Sequence, residues 1–294
     1  MLAPNQLIKP LIDHLHSDGR LRVWSVVITI FGDAVQPHGG TVAMSDLQTI
    51  LGGMNIESGA IRTAMSRLAK EGWVDREKQG RNSFYKLSSV GRKSFIPATE
   101  IIYRATFAPD PEKLIIAVGP DVIGHARETQ NALLTAFGGM RLRNGVGIFA
   151  DPSDKVIKQI QNADLLMLDA QVDRLPDWVI ERLELQQLFG EFHGLMDRFG
   201  PLVENADTLQ SLSPLDALCA RILLVHGWRR LILRHPTLPE HLLPKDWPGA
   251  TCHKLVSVIY KALLQRSEEW WDVEQKKSTQ QILLRRFNFV GSEV

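Results

Sequence analysis

Cysteine is scarce. Two residues in 294, Cys219 and Cys252, form no CxxC pair, so neither a zinc ribbon nor a redox motif is present, and such usage fits a reducing cytosol. Long hydrophobic runs are missing too. None approaches the roughly 20 residues that a membrane span requires, and the start, Met1-Leu2-Ala3-Pro4-Asn5, lacks the basic-then-apolar layout of a signal peptide. A cytoplasmic protein with no membrane partner is expected. The sequence also lacks GxxxxGKS/T, GxGxxG, GxSxG and HExxH, the signatures of phosphate cradles, dinucleotide sites, nucleophile elbows and zinc proteases. His14 and His16 are spaced i, i+2 and do not share a helix face, and Cys252-His253 has no further partners. No metal, no cofactor and no enzymatic activity are expected.

What is present is ordinary globular material, 44% hydrophobic and 23% charged. The net charge of +1 hides an asymmetry: residues 1–95 carry 12 basic and 8 acidic side chains, the remainder 22 and 25. The basic excess is mild and local, a footprint for nucleic acid rather than a polybasic chain.

That excess coincides with a patterned stretch from Trp24 to Leu87. Ile56 to Lys70 reads as a helix. At about 100° per residue, Ile61, Ala64, Met65 and Leu68 fall on one face. Arg62, Thr63, Ser66, Arg67 and Lys70 fall on the other, with no carboxylate among them. Arg pairs with guanine edges or phosphates, Lys with phosphates, and Ser or Thr with either. Taken alone, the face is equally a solvated helix surface of positive bias. Its neighbours shift the balance. Ser45 to Leu51 reads as a short helix capped by Ser45 or Asp46 and ended by Gly52-Gly53. Two short helices across a Gly-containing turn are the helix-turn-helix signature. After Glu71-Gly72, the runs Trp73 to Lys78 and Ser83 to Leu87 read as strands joined by Gln79-Gly80-Arg81-Asn82. Arg76, Lys78 and Arg81 sit on or near that tip, a wing able to reach phosphates or the minor groove. A winged helix-turn-helix that binds double-stranded DNA is the reading, against the same fold used for protein contacts alone.

Around this core, Leu7 to Ser17 is a short amphipathic start, and Arg22 to Val35 the first helix despite its β-branched run. Thr41 to Met44 can add a short strand. Ser88 to Arg104 reads as a linker helix containing Pro97, and Pro109-Asp110-Pro111 marks a boundary. Strands are expected over Lys113–Gly119, Gly145–Ala150 and Asp164–Val172, with helices at 124–137, using Ala126, Leu133, Leu134 and Phe137, and at Asp154–Ala163. This β-α-β-α-β order suggests a small α+β domain of ferredoxin-like kind. Helices then dominate: 177–199, with Trp178 among its apolar residues, a second from Ser213-Pro214 to about Arg234, and a last one over roughly 250–271. A proline-punctuated connector, His235 to Gly249, separates the last two. The division is 1–97, a winged helix-turn-helix; 98–175, linker helix and central ferredoxin-like domain; 176–294, helical. The tail Gln280 to Phe289, with Arg285-Arg286, has no assignment.

Three segments resemble the PaaX-type regulators of phenylacetic acid degradation, nearly end to end. They are Ala60-Ile61-Arg62-Thr63-Ala64-Met65-Ser66-Arg67-Leu68 with Glu71-Gly72-Trp73; Tyr85-Lys86-Leu87-Ser88 with Gly91-Arg92; and Trp228-Arg229-Arg230 followed by Pro236, Leu238-Pro239, Leu242-Leu243-Pro244 and Asp246-Trp247-Pro248-Gly249. The third is the most specific, because winged helices in general do not carry it. The family usually has an acidic residue before the first proline of that segment, where this chain has His235. The resemblance implies an α+β transcriptional repressor bound to its operator as a homodimer. It also implies a Cas2-like, ferredoxin-like central domain, a helical C-terminal domain, and release by an aryl-acyl-CoA effector such as phenylacetyl-CoA.

An acyl-CoA site needs cationic side chains beside an apolar slot. Trp228, Arg229 and Arg230 are candidates; the plainer alternative is a core tryptophan with arginines paired to local carboxylates. Arg141 and Arg143 form a second cluster, read as a turn between helix and strand. Trp247 is expected to anchor a turn. A Cas2-like fold also raises a metal-dependent nuclease, for which Asp121 is the natural carboxylate; one acid beside Gly119-Pro120 is weak support. A CoA-ester-processing enzyme has no pairable nucleophile and base.

Overall fold

The computed structural model describes residues 4–17, 19, 21–107, 113–204, 206–235, 238–271, 283 and 286–288. The expected boundary at Pro109-Asp110-Pro111, the family position Pro236, and Arg285 and Phe289 of the tail lie outside them. Helix and antiparallel sheet are both present, an α+β architecture. The residues form two compact units: 1–107 with 192–233 and 249–294, and 108–191 with 234–248.

The first unit opens with α1 (Pro4–Ser17), which buries Leu7, Ile8, Leu11, Ile12 and Leu15 on one face. Next comes α2 (Val23–Ile30), continued by one π-type turn over Phe31–Val35, closed by Gln36 N–H donating to Phe31 O at 2.9 Å. The β-branched run is helical because Val26, Val27, Thr29 and Ile30 are all buried; packing overrides a modest local preference. Then follow β1 (Thr41–Ala43), α3 (Met44–Gly52), α4 (Ser58–Lys70), β2 (Val74–Gln79), β3 (Asn82–Leu87) and α5 (Ser89–Ile102). The sheet order is β1-β3-β2, antiparallel throughout. Gln79 pairs with Asn82, so the turn is Gly80-Arg81, with Gly80 at φ 60° where a side chain would be strained.

Two local expectations are corrected. Neither Ser45 nor Asp46 caps α3, which begins one residue earlier at Met44 after an extended Ala43. Ile56 and Glu57 precede α4 rather than belonging to it; Ile56 is buried beneath the turn and Glu57 is the residue flanking the first helical position. Gly53 has a packing reason as well as a turn reason: a Cβ there would meet Cys219 Sγ at 2.9 Å.

The remaining helices of the first unit are α11 (Pro214–Ile232) and α12 (Gly249–Glu268), the short α10 (Ala206–Leu209), and the part of α9 (Leu185–Glu204) from Phe192 on. Ser213 caps α11 by accepting from Asp216 N–H at 3.1 Å. From Ala217 to His226 every side chain of α11 is buried. A helix buried on all sides is enclosed by its neighbours, and α1, α2, α3, α5 and α12 pack around it. Packing therefore joins the C-terminal helices to the N-terminal segment, where the sequence reading drew separate domains.

In the second unit, β4 (Leu114–Val118) is followed by α6 (Gly124–Ala136), β5 (Met140–Arg143), β6 (Val146–Ala150), α7 (Asp154–Asn162), β7 (Leu166–Ala170) and α8 (Asp177–Arg182). The sheet order is β5-β6-β4-β7, all antiparallel. Central β4 is apolar throughout because both its faces are covered. Ile115 and Ala117 pack with Leu134, Phe149 and Ile160 on one side, while Leu114 packs with Ile148 and Leu242 on the other. Arg141 and Arg143 lie on a strand, not a turn; β5 pairs with β6 through an irregular register that a 4-residue pattern does not reveal. Ala126 is exposed and Asn131 takes the buried position, its side chain accepting from Gly145 N–H at 3.1 Å. Trp178 is 52% exposed rather than buried. Trp247 does anchor the connector: its indole N–H donates to His235 Nε2 at 3.0 Å, so the histidine that departs from the family pattern serves as the acceptor.

Candidate functional site

The helix α4 divides cleanly. Ile61, Ala64, Met65 and Leu68 are buried against α2, α3 and β2. Arg62, Thr63, Ser66, Arg67 and Lys70 are exposed, as are Arg76, Lys78 and Arg81 on the adjacent hairpin. All eight candidate residues thus lie on solvent-facing positions of one α4–hairpin segment. They are not equally available. Arg67 Nε donates to Glu71 Oε1 at 2.7 Å, and its guanidinium lies 5.6 Å from the Trp24 ring centre. Glu71, one turn on, is the carboxylate that the helix face alone does not show. Thr63 donates to Gly59 O at 3.0 Å. Arg76 spends Nε and Nη2 on Ser83 Oγ at 3.2 and 2.8 Å across the hairpin. Arg62, Lys70, Lys78 and Arg81 have no ion pair with any described residue.

The surface is braced from behind. Trp73, at the exit of α4, donates its backbone N–H to Leu68 O at 2.9 Å and accepts from Ser88 N–H at 3.0 Å. Ser88 Oγ donates to Gly72 O at 2.6 Å and accepts from Gly91 N–H, capping α5. Helix α4, the hairpin and α5 therefore meet at Gly72-Trp73.

Of the ligand candidates, Trp228 is fully buried and its indole N–H donates to Ile102 O at 2.9 Å, a core role. Arg230 is exposed. Arg229 is different: half-buried, it donates through Nε to Thr29 Oγ1 at 2.7 Å and through Nη2 to Ser25 O at 2.8 Å and Ser25 Oγ at 2.6 Å. None of these acceptors is a carboxylate, so the alternative of pairing to a local acid fails for Arg229. Burial and the neighbouring Arg230 push its guanidinium down to about 10.

A group that sequence reasoning missed lies close by. Asp33, on the π-type turn, is fully buried. Its Oδ2 accepts from Arg221 Nε at 2.9 Å, and its Oδ1 from Arg286 Nη1 at 2.8 Å, Tyr103 at 2.7 Å and Tyr260 at 3.0 Å. Arg221 Nη1 also donates to Glu268 Oε1 at 2.7 Å and Ser267 Oγ at 2.8 Å. His38 Nε2 lies 2.9 Å from Glu268 Oε2. Burial works against the guanidinium charges, yet Asp33 and the tyrosines hold Arg221 and Arg286 above their ordinary values. Two carboxylates balance two guanidiniums, and the set ties the π-type turn to α11, α12 and Arg286. Elsewhere, burial pushes the Cys219 and Cys252 thiols up to about 12, which makes them inert packing groups. Among the described residues no three His, Cys, Asp or Glu side chains gather as a metal site would need, and Asp121 is exposed. No helix there is long and apolar enough to cross a membrane.

Comparison with known proteins gives three findings. Family models described as PaaX-like protein and PaaX-like protein C-terminal domain match residues 22–91 and 183–273. Transcriptional repressor PaaX of Escherichia coli (strain K12) is 31% identical over 256 residues, 81% of this chain and 79% of that one. Uncharacterized protein Rv0674 from Mycobacterium tuberculosis is a structural neighbour at TM-score 0.49 and 24% identity, covering 83% of this chain and 97% of that one.

Proposed function

The chain belongs to the PaaX family, a regulator and not an enzyme, and we propose that it represses transcription of an aromatic, phenylacetate-type catabolic pathway in the cytoplasm. In this reading residues 22–91 are a winged helix-turn-helix. The order helix, strand, helix, helix, then hairpin, with β1 completing a three-stranded sheet, supports it. The βαββαβ order of the second unit, with sheet order β5-β6-β4-β7, supports the ferredoxin-like, Cas2-like assignment.

The observation that carries the proposal is the two-faced α4. One side is seated in the core and the other offers Arg62, Thr63, Ser66, Arg67 and Lys70 beside a basic hairpin. Helix α4 enters the major groove. Arg62, with no ion pair among the described residues, reads a base edge; Thr63, Ser66 and Arg67 lie alongside. Lys70, Arg76, Lys78 and Arg81 hold phosphates. A symmetric homodimer places two such helices on a palindromic operator, with half-sites one helical turn or a multiple apart. An aryl-acyl-CoA, phenylacetyl-CoA as the type, releases the operator by binding the DNA-incompetent arrangement more tightly.

A gel shift on the protein's own upstream DNA tests this, with phenylacetyl-CoA, free phenylacetate and free CoA as additions. A shift abolished by the thioester alone is expected. A shift indifferent to it removes the effector and keeps the repressor; no shift on any upstream fragment at low salt removes DNA binding.

A further inference from the structure

Behind the α4–hairpin surface the first unit holds a cavity of about 150 Å³, partly open to solvent and lined by Ile28, Trp73, Phe95, Ala98, Ile102 and Arg229 among others. An apolar hole of about this size stays dry and accepts a single benzene ring. Its one cationic wall group is Arg229, half-buried and with no carboxylate partner among the described residues; the wall carboxylate, Asp33, is committed to Arg221, Arg286, Tyr103 and Tyr260. A partly buried cation without a counter-charge is costly to keep, and a carbonyl or carboxylate oxygen brought by a ligand would offset that cost. The cavity therefore has two requirements in one place: a flat apolar body and an oxygen acceptor beside it.

We propose that this cavity is a ligand site for one aromatic ring whose acyl oxygen faces Arg229, and that filling it acts on DNA binding through Trp73. Resting on the effector reading above, the inference assigns that effector's ring to these residues; a nucleotide does not fit the volume and stays outside. Trp73 is both a wall of the cavity and the junction whose backbone joins α4 to β3 and α5. Phe95 and Ala98 place α5 on a second wall, and Arg229 and Val225 place α11 on a third. A ring wedged among them displaces the frame that holds α4 and the hairpin at one spacing, which supplies the differential affinity that release requires.

The test titrates full-length protein with phenylacetyl-CoA and acetyl-CoA by calorimetry, in wild type and in Ala98→Leu, which fills the cavity from α5. Wild type is expected to prefer phenylacetyl-CoA at least about tenfold, the worth of burying a ring, and Ala98→Leu to lose that preference. Ala98→Met repeats the experiment should the leucine variant fail to fold by circular dichroism. A preference that survives in the filled variants overturns the inference and leaves the effector reading standing. Should wild type bind neither thioester, the effector reading falls and the cavity is judged by fluorine NMR with 4-fluorophenylacetate. Line broadening lost in Ala98→Leu keeps the site, and an unbroadened line in wild type overturns it.

Discussion

At the scale of single residues, Asp33 gathers four buried side chains, Arg221, Arg286, Tyr103 and Tyr260, onto one carboxylate. Replacing it by alanine leaves Arg221 and Arg286 charged and buried without their shared acceptor. Breaking a buried pair in this way costs about 3–5 kcal/mol, and urea unfolding of Asp33→Ala is expected to show a loss of that size at unchanged m-value. Wild-type stability in the variant would discard the network's structural role. Nothing in the sequence marks Asp33, an acid inside an apolar run whose partners come 188 and 253 positions later. No spacing motif connects residues that far apart. Arg286 is the converse, a tail residue with no local pattern whose meaning is wholly tertiary. Arg229 is legible as a candidate from the family segment, but its partners, Ser25 and Thr29, are not.

At the scale of elements, the 3.6-residue periodicity of α4 makes its buried and exposed faces readable from the sequence alone, because one side must be apolar and its neighbours settle which. The ranking of its cations is not readable in that way, since it depends on Glu71, Ser83 and Trp24. Arg62→Ala should cost about 1–3 kcal/mol on the operator and much less on random DNA; equal losses on both would show that Arg62 reads no base. Lys78→Ala should weaken every sequence alike and reduce the slope of log affinity against log salt by about 1, and an unaltered slope removes Lys78 from the phosphate footprint. Strand β5 escapes a sequence reading for the opposite reason: four residues, a register irregularity and flanking glycines leave too short a stretch for alternation to show.

At the scale of the whole molecule, stability should fall on mild acidification. Burial holds His253 below its ordinary value, its Nε2–H donating to Arg104 O at 3.0 Å. The unfolded chain takes up that proton first, near 6.5, so the folded state is penalised as pH drops below that point. Burial acts in the other direction on Glu268, but His38 and Arg221 outweigh it and hold the carboxyl below its ordinary value. Its contribution is present above 4.5 and is lost as pH falls through the lower folded value. Thermal unfolding at pH 7.5 and 5.5 should show a drop that is smaller in His253→Gln; equal drops would clear His253. The two-unit packing is the least legible feature, because the largely apolar run of α11, Ala217 to Val225, reveals that the helix is enclosed without revealing by what. Its enclosure by N-terminal helices bears on synthesis. At about 5–20 residues per second, Asp33 leaves the ribosome roughly 10–40 s before Arg221. During that interval the nascent N-terminal segment has neither its central pillar nor a cation for its buried acid, and a premature stop codon anywhere before α11 would yield no working fragment, only a substrate for proteases.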